Sequence, residues 1–134
     1  MLDTNIVIDL IEADQVWHRW SVDAVALAES EAPLTISAIV VGELATRSMA
    51  YAEILALLDG FGFTIAPLGA AEAHRAGLAH RAYREAGGTR DRLLGDFLIG
   101  AHAEMAGARL LTRDPRPYRT YFPDLTLITP ETDA

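Results

Sequence analysis

A chain of 134 residues that is 51% hydrophobic and 22% charged can bury one core, is short for two, and lacks the low hydrophobicity of disordered chains. It contains no cysteine, which excludes disulfides and thiolate metal sites and leaves oxygen and imidazole as metal donors. The net charge of −8 argues against tight nonspecific binding to nucleic acid, where phosphate neutralisation dominates, and all 11 basic residues are arginine, so lysine chemistry is absent.

No apolar run approaches membrane-spanning length, and Asp3, Asp9 and Glu12 lie where a signal peptide would need positive charge. The expectation is a cytoplasmic protein without membrane association, with residues 1–134 forming a single domain.

A short opening strand delivers Asp3-Thr4-Asn5, and Asn5 to Ile11 reads as a helix. Gln15 to Ser30 reads as a second helix, with Trp17, Trp20, Val25 and Leu27 supplying bulk, and Pro33 ends that region. Leu34-Thr35-Ile36 is the next strand, and Ser37 is placed to cap a helix through Ile39, Val40, Val41, Glu43 and Leu44. Tyr51, Ile54, Leu55 and Leu58 form an amphipathic stripe that stops at Gly60 and Gly62, before a strand at Phe63-Thr64-Ile65.

From Ala70 to Ala86 the stripe of Leu78, Ala79, Ala82 and Tyr83 predicts a surface helix with Arg75, Arg81 and Arg84 on its other positions, ended by Gly87-Gly88. The helix from Leu93 to Ala106 carries a core stripe of Leu94, Phe97, Leu98, Ala101 and Met105. Its opposite face repeats Asp96, Gly100, Ala103 and Gly107, small residues that would admit a second element closely. Arg109 to Thr112 reads as a strand, Arg113-Asp114-Pro115 as a turn, and Leu125 to Ile128 as a last strand. Alternating strands and helices predict a mostly parallel sheet covered on both faces, with its site beyond the carboxyl ends of the strands.

Four acids then stand out, each with an ordinary explanation beside it. Asp3 suits a helix N-cap, Glu43 could pair with Arg47 one turn on, Asp96 suits a helix N-terminus, and Asp114 suits a turn before Pro115. Yet Glu43 and Asp96 interrupt apolar segments, where an unpaired carboxylate is costly. Four carboxylates meeting in one pocket would raise one another's pKa unless a cation neutralised them. Hard oxygen donors suit Mg2+ or Mn2+, and the chemistry they serve best is attack of water on a phosphodiester. The histidines, His18, His74, His80 and His102, read as structural or surface residues, and Arg92 and Arg113 are the candidate phosphate contacts beside Asp96 and Asp114.

The blocks Leu2-Asp3-Thr4-Asn5, Ser37 to Leu44, Leu94-Gly95-Asp96-Phe97-Leu98-Ile99-Gly100-Ala101-His102-Ala103 and Leu111-Thr112-Arg113-Asp114 together resemble the PIN domain, and more closely a VapC-type ribonuclease toxin of a bacterial toxin–antitoxin pair. The resemblance implies a three-layer α/β fold and a magnesium- or manganese-dependent endoribonuclease whose acids are Asp3, Glu43, Asp96 and Asp114. It implies supporting roles for Asn5 and Thr112, a homodimer, an RNA substrate, and a VapB-like antitoxin whose binding segment blocks the acidic pocket with an arginine. The family usually has a longer first strand; here only Met1 and Leu2 precede Asp3, so either the natural start lies upstream or the central strand is short and ordered by its neighbours.

Two other classes compete. A phosphoacceptor receiver domain also gathers acids at the end of a parallel sheet, but resembles a site that needs a lysine, which this chain lacks. A noncatalytic PIN-like domain that binds RNA or protein without cutting is the other alternative, and the intact set of four acids counts against it.

Overall fold

Leu2 alone represents the first strand, and it holds the middle of the sheet. In the computed structural model, which describes residues 1–14, 16–90 and 93–131, Leu2 bridges Ile36 on one side and Leu111 on the other, both in parallel. Its N–H donates to the Thr35 carbonyl at 3.0 Å, the Leu111 N–H donates to the Met1 carbonyl at 2.9 Å, and the Asp3 N–H returns to the Leu111 carbonyl at 2.9 Å. Leu2 is fully buried, so apolar packing and neighbouring strands together fix a strand too short to order itself.

The remaining strands are β1 (Thr35–Ser37), β2 (Thr64–Ala66), β3 (Leu110–Leu111) and β4 (Leu127–Ile128). β1 pairs with β2 and β3 with β4, all parallel, so the sheet runs β2, β1, Leu2, β3, β4. The strand order reverses between Leu2 and β3, the point where open α/β sheets leave a crevice at their carboxyl ends.

The helices are α1 (Thr4–Ile11), α2 (His18–Glu31), α3 (Ala38–Ala45), α4 (Tyr51–Gly60), α5 (Ala70–Glu85), α6 (Leu93–Met105) and α7 (Arg116–Arg119). Right-handed crossovers in this strand order put α1 to α4 on one face and α5 to α7 on the other. α1 packs on α2 and α3 on α4, α6 packs against both α5 and α7, and α3 and α6 also meet, where Glu43 lies against Gly95. Ser37 caps α3 as its position suggests, accepting from the Ile39 N–H at 3.3 Å, and its hydroxyl also meets His102 Nδ1 at 2.8 Å. Gly62 carries the positive φ of 78° that turns the chain from α4 into β2.

The structure corrects several sequence expectations. α5 is the surface helix expected, but its inner side is not the predicted stripe: it packs along α6 through buried Ala76 and Ala79, while Leu78 and Ala82 lie outward. Arg75 is turned inward as well, donating to Glu104 at 2.9 Å and to the Tyr121 carbonyl at 2.8 Å, with its guanidinium 4.5 Å from the Phe122 ring centre. α6 buries more than one stripe, from Leu93 through Phe97 to Ile99, Gly100, Ala101, His102 and Ala103, whereas Leu94 and Met105 are exposed. A helix pressed between neighbours loses the one-sided pattern from which a stripe is read. Leu27, expected to supply bulk, is exposed, and α7 follows the Arg113-Asp114-Pro115 turn as a short helix that the pattern does not announce. The start of the second predicted helix, Gln15, lies outside the described residues. No helix among the described residues is long and apolar enough to cross a membrane.

The small-residue face of α6 does admit a second element. A Cβ added at Gly100 would lie 2.9 Å from the Phe122 ring and 3.0 Å from the Tyr118 ring, closer than packed carbons allow. Both rings are buried and cannot swing away. Gly100→Ala should therefore destabilise the fold by about 1–3 kcal/mol through overpacking, read as a Tm several degrees lower in thermal melts.

Candidate active site

Asp3 occupies the N-cap position of α1 with extended backbone, φ −74° and ψ 155°, but its side chain makes no cap hydrogen bond. Its carboxylate instead faces the crevice between Leu2 and β3. Oδ2 accepts from the Tyr118 hydroxyl at 2.7 Å, the Thr112 hydroxyl at 2.9 Å and the Asn5 amide at 3.4 Å. Burial pushes this carboxyl above its ordinary value, while the Tyr118 and Thr112 hydrogen bonds pull it back.

Thr112 ties the two strand ends together. Its hydroxyl donates to Asp3 and accepts from the Asp114 N–H at 3.1 Å and the Asn5 amide at 3.2 Å. Strand β3 delivers Thr112, and the turn that follows delivers Asp114 beside it. Asn5 and Thr112 are thus both in direct contact with Asp3.

Glu43 comes from the middle of α3. It does not pair with Arg47, which pairs with Glu12; it accepts the Thr4 hydroxyl at 2.7 Å and lies against Gly95 at the start of α6. Burial raises its carboxyl, the Thr4 hydrogen bond lowers it, and the charge of Asp3 raises it further. Asp96, in the first turn of α6, is pushed up to about 7 by burial and then by the charges of Asp3, Glu43 and Asp114, against the pull of Arg90. A helix N-terminus alone would lower it. The four acids therefore sense one another, which none of their individual explanations requires.

Asp114 behaves differently. Arg116 holds its carboxylate by a two-pronged pair, Nε to Oδ1 at 2.8 Å and Nη2 to Oδ2 at 3.0 Å, and keeps it below the ordinary carboxylate range. Asp96 and Asp114 open onto a cleft of about 230 Å³, with Arg90, Arg116, Tyr83 and Tyr121 among its walls. Arg113 points elsewhere: its Nε donates at 2.8 Å to Asp9, which is fully buried in α1. Arg92 lies outside the described residues. Among the histidines, His102 meets Ser37, His18 donates from Nδ1 to the Asp9 carbonyl at 2.6 Å, and His80 packs among Tyr83 and Phe97.

Three partners escaped sequence reasoning. Thr4 lay within the quoted block without a role. Tyr118 stands four residues after Asp114, a helical spacing that only a helix in place of the expected turn would have exposed. Burial and the charge of Asp3 hold its hydroxyl well above the ordinary tyrosine value, so it remains a proton donor to that acid. Arg116, two residues from Asp114, was one arginine among several around that acid.

The donor chemistry fits a hard divalent cation: every acid offers oxygen, and Asp96 feels the charges of Asp3, Glu43 and Asp114 against the pull of Arg90. The fit is of charge more than of ready geometry. Among the described residues, no three carboxylate or imidazole groups already stand together to hold an ion, and Asp114 is occupied by Arg116. Coordination would need side-chain rotation.

The model of the PIN domain matches residues 1–123 of the chain. No curated protein matches it. Among solved structures, VapBC2 from Rickettsia felis bound to a promoter DNA fragment has a chain that is 24% identical, with a TM-score of 0.72 and 96% of both chains covered. DNA-bound VapBC from Salmonella typhimurium gives 25% identity, a TM-score of 0.69 and 96% of both chains. VapBC-1 from nontypeable Haemophilus influenzae gives 23%, 0.71 and 96% of both. These likenesses show the same fold along 96% of the chain, and the match over residues 1–123 establishes that the chain belongs to the PIN-domain family.

Proposed function

We propose that this protein is the toxin of a toxin–antitoxin pair and acts as a magnesium- or manganese-dependent endoribonuclease. The observation that carries the reading is the gathering of Asp3, Glu43, Asp96 and Asp114 at the reversal of strand order, where burial first and then the charges of the other three acids push the Asp96 carboxyl up to about 7. The partner reading is supported by the VapBC complexes among the structural neighbours. A VapB-like antitoxin covering the acidic cleft, a homodimeric toxin and a cytoplasmic RNA substrate complete the proposal.

Asp3, Glu43, Asp96 and Asp114 are the residues that would hold the ion. When bound, it supplies charge neutralisation at the phosphodiester and makes water a stronger nucleophile. Tyr118, Thr112 and Asn5 hydrogen-bond the Asp3 carboxylate, and Thr4 hydrogen-bonds Glu43, which limits how far these two acids can turn. Arg90 and Arg116 on the cleft wall offer positive charge to a phosphate. Water adds to phosphorus, the scissile P–O bond breaks, and the leaving oxygen takes up a proton.

Incubation of the protein with structured RNAs and Mg2+ or Mn2+ tests the reading. Asp96→Asn keeps the shape and removes the charge, and should lower cleavage by more than about 100-fold, since even outer-shell partners of metal ligands are worth 10- to 100-fold. Cleavage that survives both EDTA and Asp96→Asn would overturn the assignment. Calorimetry showing no binding of either metal would favour a noncatalytic binding domain.

The charge coupling also fixes a stability trend. A carboxyl whose folded value is raised contributes stability that is full below its unfolded value of 3.8 and is lost as pH rises through about 7. Metal-free protein should therefore lose stability from pH 5 to pH 8 on account of Asp96, with Asp3 and Glu43 acting in the same direction. Asp96→Asn should melt above the parent at pH 8 by a margin that shrinks toward pH 5, and Mg2+ should raise the parent's Tm more than the variant's. Melts in EDTA and in Mg2+ across that range read both effects.

A further inference from the structure

Asp9 is a fully buried carboxylate that the proposed reaction does not use, and Arg113 is an arginine at the site that faces away from the cleft. We propose that the Asp9–Arg113 ion pair is a positioning device, which clamps the turn carrying Asp114 onto α1 and so sets where that acid stands relative to Asp3. The inference rests on the reading of the four acids as the active site.

The clamp has two grips on one helix face. Asn5 and Asp9 are one turn apart on α1, so they project the same way. The Arg113 N–H donates to Asn5 Oδ1 at 3.4 Å, and the Arg113 Nε donates to Asp9 Oδ2 at 2.8 Å. One residue thus contacts both positions, with backbone and side chain. Its chain neighbours are Thr112, which holds Asp3, and Asp114 itself.

Asp9 is in turn anchored from behind. The Ser21 hydroxyl on α2 donates to the same Oδ2 at 2.8 Å, and His18 takes the Asp9 backbone carbonyl. The path from α2 through Asp9 to Arg113 makes the position of the Asp114 turn depend on the α1–α2 packing. A buried ion pair adds little stability beyond what an apolar pair of the same size would give, but it demands a particular geometry that an apolar pair does not. Removing one charge strands the other; removing both leaves packing without the directional constraint.

That distinction supplies the test. The double variant Asp9→Leu with Arg113→Met removes both charges and should melt close to the parent. Hydrogen exchange followed by NMR should show the amides of Arg113 and Asp114 opening about tenfold faster, while amides in the middle of α6 keep their protection. RNA cleavage in Mg2+ should fall about 10- to 100-fold in kcat with little change in KM. Should the double variant not fold, Asp9→Asn, which keeps the shape and an acceptor for Ser21, is read by the same exchange experiment and should loosen the same amides.

Unchanged exchange at Arg113 and Asp114 in a folded variant overturns the clamp, whatever the activity. An effect of Arg113→Met on KM alone, with no effect of Asp9→Asn, would instead make Arg113 a substrate contact and overturn it too. Loosened amides in a protein whose parent does not cleave RNA would uphold the clamp and sink the proposed reaction, so the two readings fail separately.

Discussion

Everything at this site depends on keeping a carboxylate buried at the carboxyl end of a strand one bridge long. Asp3 is 4% exposed, where an isolated charge would be driven to take up a proton. Three donors from three different places, Tyr118 on α7, Thr112 after β3 and Asn5 on α1, meet its Oδ2. These bonds do more than satisfy one oxygen. They bind together the helix that leaves Leu2, the end of β3, and the short helix whose Tyr118 ring lies beside Gly100 of α6. The carboxyl end of the sheet's central strand is thus secured by side chains from outside the sheet as well as by its own ladder.

The opposing requirement is that carboxylates repel, and the protein answers it unevenly. Asp114 has a counter-ion in Arg116, Glu43 accepts a hydroxyl from Thr4, and Asp96 sits among the other three charges with Arg90 opposing them. The strain of like charge is thus concentrated at the start of α6, on the wall of the cleft. A site built for stability alone would have distributed its arginines differently. Arg113, close in sequence to Asp114, serves Asp9 instead, and Arg75 is folded against Glu104 and Phe122.

Most of this architecture was legible in the residues. Alternating strands and helices gave the parallel sheet, the apolar surroundings of Glu43 and Asp96 marked them as unusual, and small residues at Asp96, Gly100 and Ala103 foretold a close approach. What could not be read was anything that depended on direction. A stripe shows that a helix has an inner face, but α6 is covered on several sides, so Leu94 and Met105 were placed inside when they lie out. The Arg113 side chain was expected to reach a phosphate because Asp114 is adjacent, and sequence adjacency says nothing about which of two acids, one turn or a whole chain away, a guanidinium will choose. Tyr118 was hidden for a related reason: Pro115 reads as the stop of a turn, although proline also opens helices, as it does before α7.

The Arg116–Asp114 pair bears on how such a site would be switched off. Its geometry is that of a guanidinium fork on a carboxylate, so the cleft already accommodates an arginine at the acid nearest its mouth. Any cation that takes Asp114, whether a metal ion or a second guanidinium, must first displace Arg116, whose side chain is 85% exposed and can swing into solvent at little cost. Displacement would free Arg116 for an anion. With an ion bound, that anion would be the substrate phosphate. With an antitoxin arginine inserted, it would be an acidic group on the antitoxin itself. On the proposed reading the same residue therefore discriminates between the two ligands by what accompanies the cation, and an effective inhibitory segment should present an acid near its arginine.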